Sequence, residues 1–140
     1  MMFGAQTNWL ALLACGVFYM VVGFLWYGPL FAQPWMKLIG KTKKDIEREM
    51  KNGSMPKTYA TSFILSLITA YVINMLIQLT NITDVGSAVM LGLMVWLGFV
   101  AAPSGTLVLY ENRPVKLFAI NAGYYLVTIL GAAVILTFWP

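Results

Sequence analysis

Four long stretches of uncharged, mostly apolar sequence divide this chain of 140 residues. None of them contains an Asp, Glu, Lys or Arg; they are residues 1–36, 58–83, 85–110 and 117–140. An α-helix needs about 20 mostly apolar residues to cross a bilayer core of about 30 Å, and every stretch is long enough. The pattern therefore predicts four transmembrane helices, at about residues 8–28, 57–79, 85–110 and 114–138.

Prolines indicate where these helices end or bend. We expect the first helix to stop at Gly28-Pro29, because proline cannot continue an α-helix. Pro103 interrupts the third span and frees a backbone carbonyl. Asn121 and Ser104 lie at a similar depth, so we predict that one of them satisfies that backbone.

A short polar helix is predicted between the first and second spans. Thr42-Lys43-Lys44-Asp45 has the form of a capping box, and Gly53 follows as a stop signal. Ile46 and Met50 lie four residues apart and form one apolar stripe. We therefore expect an amphipathic helix from about residue 43 to 52 that rests on the membrane surface.

Composition supports the membrane interpretation. The chain is 60% hydrophobic and 10% charged, whereas an average soluble domain is roughly 25% charged. That leaves too little polar surface to cover a water-soluble globule. We predict an all-α integral membrane protein, a four-helix bundle formed by one transmembrane domain over residues 1–140.

The basic residues predict how the bundle is oriented. Seven of the nine Lys and Arg residues lie between Lys37 and Lys57, and the other two are Arg113 and Lys116. Positive loops remain in the cytoplasm, so the loop at 29–56 is predicted to be cytoplasmic and both termini extracytoplasmic. We expect a multi-pass protein of the cell (inner) membrane. The net charge of +4 is explained by this orientation, and we predict no nucleic-acid partner.

Residues at the cytoplasmic interface have structural roles in this interpretation. Trp26 and Tyr27, together with Trp35, are predicted to form an aromatic belt at the lipid headgroups. Pro29 belongs to the same interface. Glu111 is expected to pair with Arg113 or Lys116 rather than to carry protons.

The connection before the fourth span is short. It reads Glu111-Asn112-Arg113-Pro114. We predict Asn112 or Arg113 as the N-cap and Pro114 as the first helical residue, where its missing N–H costs nothing.

The sequence offers few residues that could act in catalysis or bind a metal. It has no histidine, and Cys15 is its only cysteine, so we predict no metal site and no cofactor. Outside the short polar helix, Asp84 and Glu111 are the remaining carboxylates, about 40 Å apart along one helix. No base is placed to activate a hydroxyl nucleophile. We therefore predict no catalytic residue and do not expect an enzyme.

Uncharged polar and aromatic residues inside the spans remain as candidates. Asn74 and Gln78 share one face of the second span with Tyr71, and exposing two amides to lipid is costly, so this face should point inward. Such amides either join helices or line a pathway, and the sequence leaves both open. The candidate pore or ligand lining is Tyr19, Tyr71, Asn74, Gln78, Trp96, Asn121 and Tyr124.

Two further patterns concern packing. Small residues recur every four positions along the fourth span, among them Gly123 and Gly131, which favours close helix approach within a bundle or between subunits. A short parallel echo joins the two halves of the chain, since Gly23-Phe24-Leu25 returns as Gly98-Phe99-Val100.

Several blocks of the sequence resemble a bacterial membrane family, the domain-of-unknown-function family 1761. The blocks are Asn8-Trp9-Leu10, Trp26-Tyr27-Gly28-Pro29-Leu30-Phe31, Trp35-Met36, the stretch from Trp96 to Pro103, and Tyr110-Glu111-Asn112-Arg113-Pro114. The resemblance extends over nearly the whole chain. It implies a four-helix integral membrane protein and implies no activity.

Two functions are left as hypotheses. The first is a small transporter or channel for apolar or weakly polar solutes, acting as a homo-oligomer because four short-looped spans enclose little volume alone. The alternative is a non-catalytic membrane scaffold or accessory subunit whose basic loop contacts anionic lipid or a partner. In both cases the lipid bilayer is a partner, and the sequence does not identify a small-molecule ligand.

Overall fold

The computed structural model describes residues 7–53 and 55–139, and nearly all of them are helical. The helices are α1 (Trp9–Leu25), α2 (Ala32–Ile39), α3 (Lys43–Lys51), α4 (Met55–Leu79), α5 (Val85–Trp96), α6 (Ala102–Glu111) and α7 (Val115–Phe138). Two π-helical turns, Trp26–Leu30 and Leu97–Ala101, follow α1 and join α5 to α6, and the first of them is broken by a kink at Gly28. The predicted all-α class is confirmed.

Four helical stretches within the described residues are long and apolar enough to cross a membrane. We call them the first to fourth spans: Trp9–Leu30, Pro56–Leu79, Val85–Glu111 and Val115–Phe138. The fourth span is central, because α7 packs against α1, α4 and α5. Small side chains such as Ala11, Ala132 and Ala133 are completely buried there and allow the backbones to approach closely.

The two ends of the bundle differ. At one end Asn8 caps α1, and its Nδ2 donates to the carbonyl oxygen of Trp139 at 3.3 Å, which ties the start of the first span to the end of the fourth. We call this the terminal end. The opposite end, which carries α2, α3 and the connection at 112–114, is the loop end.

The predicted break of the first helix at Gly28-Pro29 is confirmed. α1 ends at Leu25, and within the following turn Gly28 adopts a non-helical φ of −109° and ψ of −107°, so the chain kinks there. This bend leaves room for the ring of Pro29, which an unbroken α-helix would not. After Phe31 the chain enters α2, a helix that the sequence analysis did not predict.

The capping box of α3 is confirmed. Thr42 Oγ1 accepts from the Asp45 N–H at 3.2 Å, and Asp45 Oδ2 accepts from the Thr42 N–H at 2.9 Å. That backbone N–H, followed by the Thr42 hydroxyl, holds the pKa of the Asp45 carboxyl below its usual range. Asp45 therefore helps to stabilise α3 above its ordinary pKa, and this contribution is lost as the pH falls through the lowered value.

The connection to the fourth span corrects a prediction about how α7 begins. Asn112 does not open α7; it ends α6 in the left-handed conformation, with φ 52°. Pro114 precedes the helix as its N-cap, with an extended ψ of 133°. The predicted ion pair is present, since Arg113 Nε lies 2.8 Å from Glu111 Oε2.

Candidate functional site

Two tryptophans donate hydrogen bonds to the same segment of the fourth span. Trp26 Nε1 donates to the Ile120 carbonyl oxygen at 2.8 Å, and Trp96 Nε1 donates to the Ala122 carbonyl oxygen at 2.7 Å. Trp26 begins the first π turn and Trp96 directly precedes the second. Each indole therefore joins a bend in an odd-numbered span to the central helix.

The two indoles approach that helix from different sides. Successive residues of an α-helix are about 100° apart around its axis, so positions 120 and 122 lie on nearly opposite faces. Gly123 leaves room for one of them, because a Cβ at this position would lie 3.0 Å from Trp26 Cζ2. The first and third spans are thereby held on two sides of the fourth.

Tyrosines complete this contact. Tyr27 Oη donates to Asn121 Oδ1 at 2.7 Å, and Tyr124 Oη donates to the Tyr19 carbonyl oxygen at 3.2 Å. The rings of Tyr27 and Tyr124 also pack together, with centroids 5.4 Å apart. We call Trp26, Tyr27, Trp96 and Tyr124 the aromatic clamp.

The clamp corrects the interpretation of Trp26 and Tyr27 as a lipid-facing belt. Their polar atoms bond to the fourth span within the protein rather than to headgroups. Asn121 is likewise tied through its amide oxygen to the first span. At the Pro103 bend, the Ala102 N–H donates to the carbonyl of Leu97, five residues back, so the π turn itself absorbs the change of register.

A cavity lies beside the clamp, between α6 and α7. Its volume is about 80 Å³, and its lining is Ser104, Leu107, Val108, Arg113, Leu117, Phe118, Asn121, Ala122 and Tyr125. Arg113 is at the loop end of this space. Asn121 and Ala122, which accept hydrogen bonds from clamp residues, line its opposite part.

The chemistry of this cavity is mixed. At about 10–15 Å³ for each water-sized volume, it has room for about five water molecules or a solute of similar size. Leu107, Val108 and Leu117 supply an apolar wall, while Ser104 and Asn121 offer hydroxyl and amide groups. A small uncharged solute with one or two hydrogen-bonding groups matches such a lining.

The second π turn explains why Ser104 lies in the cavity wall. A five-residue turn adds one residue to the helix and rotates the residues beyond it by about 100°. Ser104 comes just after this turn. The bend thus changes which face of α6 meets α7.

The predicted lining residues fall into two groups. Tyr19, Trp96, Asn121 and Tyr124 belong to the hydrogen-bonded region around the clamp. Tyr71, Asn74 and Gln78 lie towards the terminal end of the second span. Only Asn121 lines the cavity described above, so the structure does not bring the seven residues together around it.

The group at the terminal end has its own surroundings. Tyr71 stacks on Trp9, with ring centroids 6.3 Å apart, and lines an apolar groove of about 410 Å³ between the first and second spans. Asn74 is buried, as predicted, and its Nδ2 has no hydrogen-bond partner among the described residues. Gln78 is half-buried.

The aromatic clamp contains a second match between the two halves of the chain. The matching units are Trp26-Tyr27-Gly28 and Trp96-Leu97-Gly98, each beside a π turn. The offset between them is 70 residues, whereas the predicted pair starting at Gly23 and Gly98 is 75 residues apart. Only these two of the five tryptophans are followed by a glycine two residues later, and that signal could have revealed the pair.

The described residues, 7–53 and 55–139, contain no cluster of side chains suited to hold a metal ion. No group of three His, Cys, Asp or Glu side chains comes together there. Cys15 is completely buried, with its Sγ 3.9 Å from the carbonyl oxygen of Ala132.

Comparison with known proteins identifies a family for this chain. A family model described as a protein of unknown function, DUF1761, matches residues 10–137. No curated protein and no solved structure matches the chain.

Proposed function

Because this chain belongs to the DUF1761 family, which is described only as of unknown function, we propose its role from its own geometry: a small membrane transporter or channel for weakly polar solutes. The observation that carries the proposal is the cavity between α6 and α7. It combines apolar walls with the Ser104 hydroxyl and the Asn121 amide. Such a lining suits small uncharged molecules better than ions.

The position of the cavity favours movement of solute rather than storage. It lies beside two π turns, a kind of helix defect that often marks functional sites. A change at the second π turn would move α6 against α7 and alter the width of the cavity. The clamp would hold the fourth span fixed during that motion.

We further propose that the protein acts as a homo-oligomer. The third span is the least enclosed of the four. In its most apolar stretch of 18 residues 11% are buried inside the protein, compared with 39% for the fourth span. Large side chains on it, including Phe99 and Leu109, are more than three-quarters exposed. A second copy packed here would cover that face and place the cavities of two subunits near their interface.

The proposed orientation is based on the loop charges. With the loop end in the cytoplasm and both termini outside, the cavity would open towards the cytoplasm, next to Arg113. The proposed location is the inner membrane.

The experiment is a flux assay on purified protein in liposomes. Urea, acetamide and glycerol are suitable probes, because each is uncharged and of a size that the cavity admits. We expect stopped-flow light scattering to show faster entry of at least one probe than in empty liposomes. Rates equal to those of empty liposomes for all three, with the helical content of the protein intact, would contradict the proposal.

The exposed third span also supports the alternative, a non-catalytic scaffold or accessory subunit. In that case the face around Phe99 and Leu109 would hold a different membrane protein. Such a scaffold would need no solute flux, so the liposome assay separates the two functions.

A further inference from the structure

The short helix α3 and its flanks form a strongly basic surface at the loop end. Residues 37–57 carry seven basic and three acidic side chains, a net charge of +4, which equals that of the whole chain. Helix α3 makes no extensive contact with any span among the described residues. Its surface is therefore available to something other than the bundle.

The side chains of α3 are sorted around its axis. At about 100° for each residue, Ile46 and Met50 are about 40° apart, and Lys43 lies within about 20° of Met50. Lys44, Arg48 and Lys51 continue the basic sector on that side. An apolar stripe thus borders directly on a basic face, the arrangement that binds a helix flat to an anionic lipid surface.

Of the three acidic side chains of α3, Glu47 lies inside the basic sector, between Lys43 and Lys51. Asp45 and Glu49 lie on the other flank of the stripe. Asp45 is held in the capping box, and Glu49 Oε1 accepts from Lys41 Nζ at 2.6 Å. These two carboxylates are therefore engaged within the loop, on the side away from the basic sector. The sector itself holds four basic side chains and Glu47, and it keeps a net positive charge.

The chain keeps this surface close to the bilayer. The second span starts at Pro56, five positions after α3 ends at Lys51. A chain of that length reaches at most about 18 Å. The attraction of Lys and Arg to anionic lipid acts within about a Debye length of 8–10 Å, so α3 can reach the surface where it acts.

We propose that α3 is a binding element for anionic phospholipid headgroups: it lies on the membrane with Ile46 and Met50 in the interface and its basic face on the headgroups. Met50 is 54% exposed in the structure, and this interaction would cover it. The inference is independent of solute transport, because it needs neither the cavity nor the clamp.

The test uses the full protein with a single labelled cysteine. Cys15 is buried and can be replaced by alanine, after which Met50→Cys carries an environment-sensitive fluorophore. The protein is placed in nanodiscs of phosphatidylcholine alone or mixed with phosphatidylglycerol. We expect a blue shift and protection from acrylamide quenching with phosphatidylglycerol, and both effects should weaken in high salt.

Two controls make the result specific. Asn52→Cys lies on the opposite side of α3, at an exposed position, and its label should remain accessible to acrylamide in both lipids. Replacing Lys43, Lys44 and Lys51 by Gln should weaken the attachment of α3 to the lipid surface. The ratio of lipid-bound to detached α3, read from the fraction of the label that acrylamide cannot quench, should fall about fivefold for each lysine. Equal accessibility of the label at position 50 in the two lipids would overturn the proposal, and so would protection that persists after the three lysines are replaced.

Discussion

Replacing Gly131 by alanine should cost about 1–3 kcal/mol of stability, because a core with no spare volume must shift to accept one methyl group. A Cβ at this position would overlap the ring of Phe18, so either this ring must leave its rotamer or the first and fourth spans must move apart. These two helices meet at the centre of the bundle. We expect a lower midpoint in thermal unfolding of the purified protein in detergent.

A matched control and a rescue variant make this prediction sharp. Gly105→Ala adds the same methyl group where a Cβ meets nothing within 4 Å, so its stability should equal or slightly exceed that of the wild type. Phe18→Ala should cost less in the Gly131→Ala background than alone, because the two side chains compete for one space. Additive effects would show that Phe18 and Gly131 do not share that space.

Removing both indole hydrogen bonds of the clamp should also lower the stability of the protein clearly. Trp26→Phe and Trp96→Phe keep an aromatic ring but delete the N–H that reaches Ile120 or Ala122. Each bond is worth about 0.5–1.5 kcal/mol, so the double variant should lose about 2 kcal/mol. The loss per bond is modest because each carbonyl can still accept its own helical hydrogen bond.

Trp139→Phe is the matched control for the clamp. The Trp139 bonds that define the terminal end come from its backbone, since its N–H donates to Ile135 and its carbonyl accepts from Asn8. Unfolding in detergent should therefore change little. If the control lost as much stability as the double clamp variant, the loss could not be assigned to the indole hydrogen bonds between the spans.

Local signals in the sequence predicted the four apolar helices and the cap of α3. Each depends on residues within one helix or turn, such as the reciprocal bonds of Thr42 and Asp45. Charge-free stretches of about 20 residues leave few alternatives to a transmembrane helix. Physical constraints of this kind are visible without knowing how helices are arranged.

The clamp and the cavity depend on helix rotation, which the sequence pattern does not specify. Trp26 was predicted to face lipid because aromatic residues near a span end favour the interface. Trp26 precedes the kink at Gly28 and has helical φ and ψ, so its contact with the Ile120 carbonyl is set by how the first span is rotated against the fourth. The position of Ser104 in the cavity wall also depends on helix rotation, which the second π turn changes.

The same reasoning explains the group at the terminal end. Asn74 was predicted to point inward because lipid solvates amides poorly, and that prediction is confirmed by its burial. Whether it shares a cavity with Asn121 depends on depth along two different spans. The two residues lie towards opposite ends of the bundle, so hydrophobic pattern alone could not separate packing from lining.

Filling the cavity tests the central claim most directly. Ser104→Leu places a larger apolar side chain in the lining, while Thr106→Leu makes a similar change at an exposed position whose hydroxyl only bonds the Ala102 carbonyl of its own helix. In the liposome assay we expect Ser104→Leu to reduce solute entry to the rate of empty liposomes, with Thr106→Leu at the wild-type rate. Wild-type entry through folded Ser104→Leu protein would contradict the assignment of this cavity as the solute site.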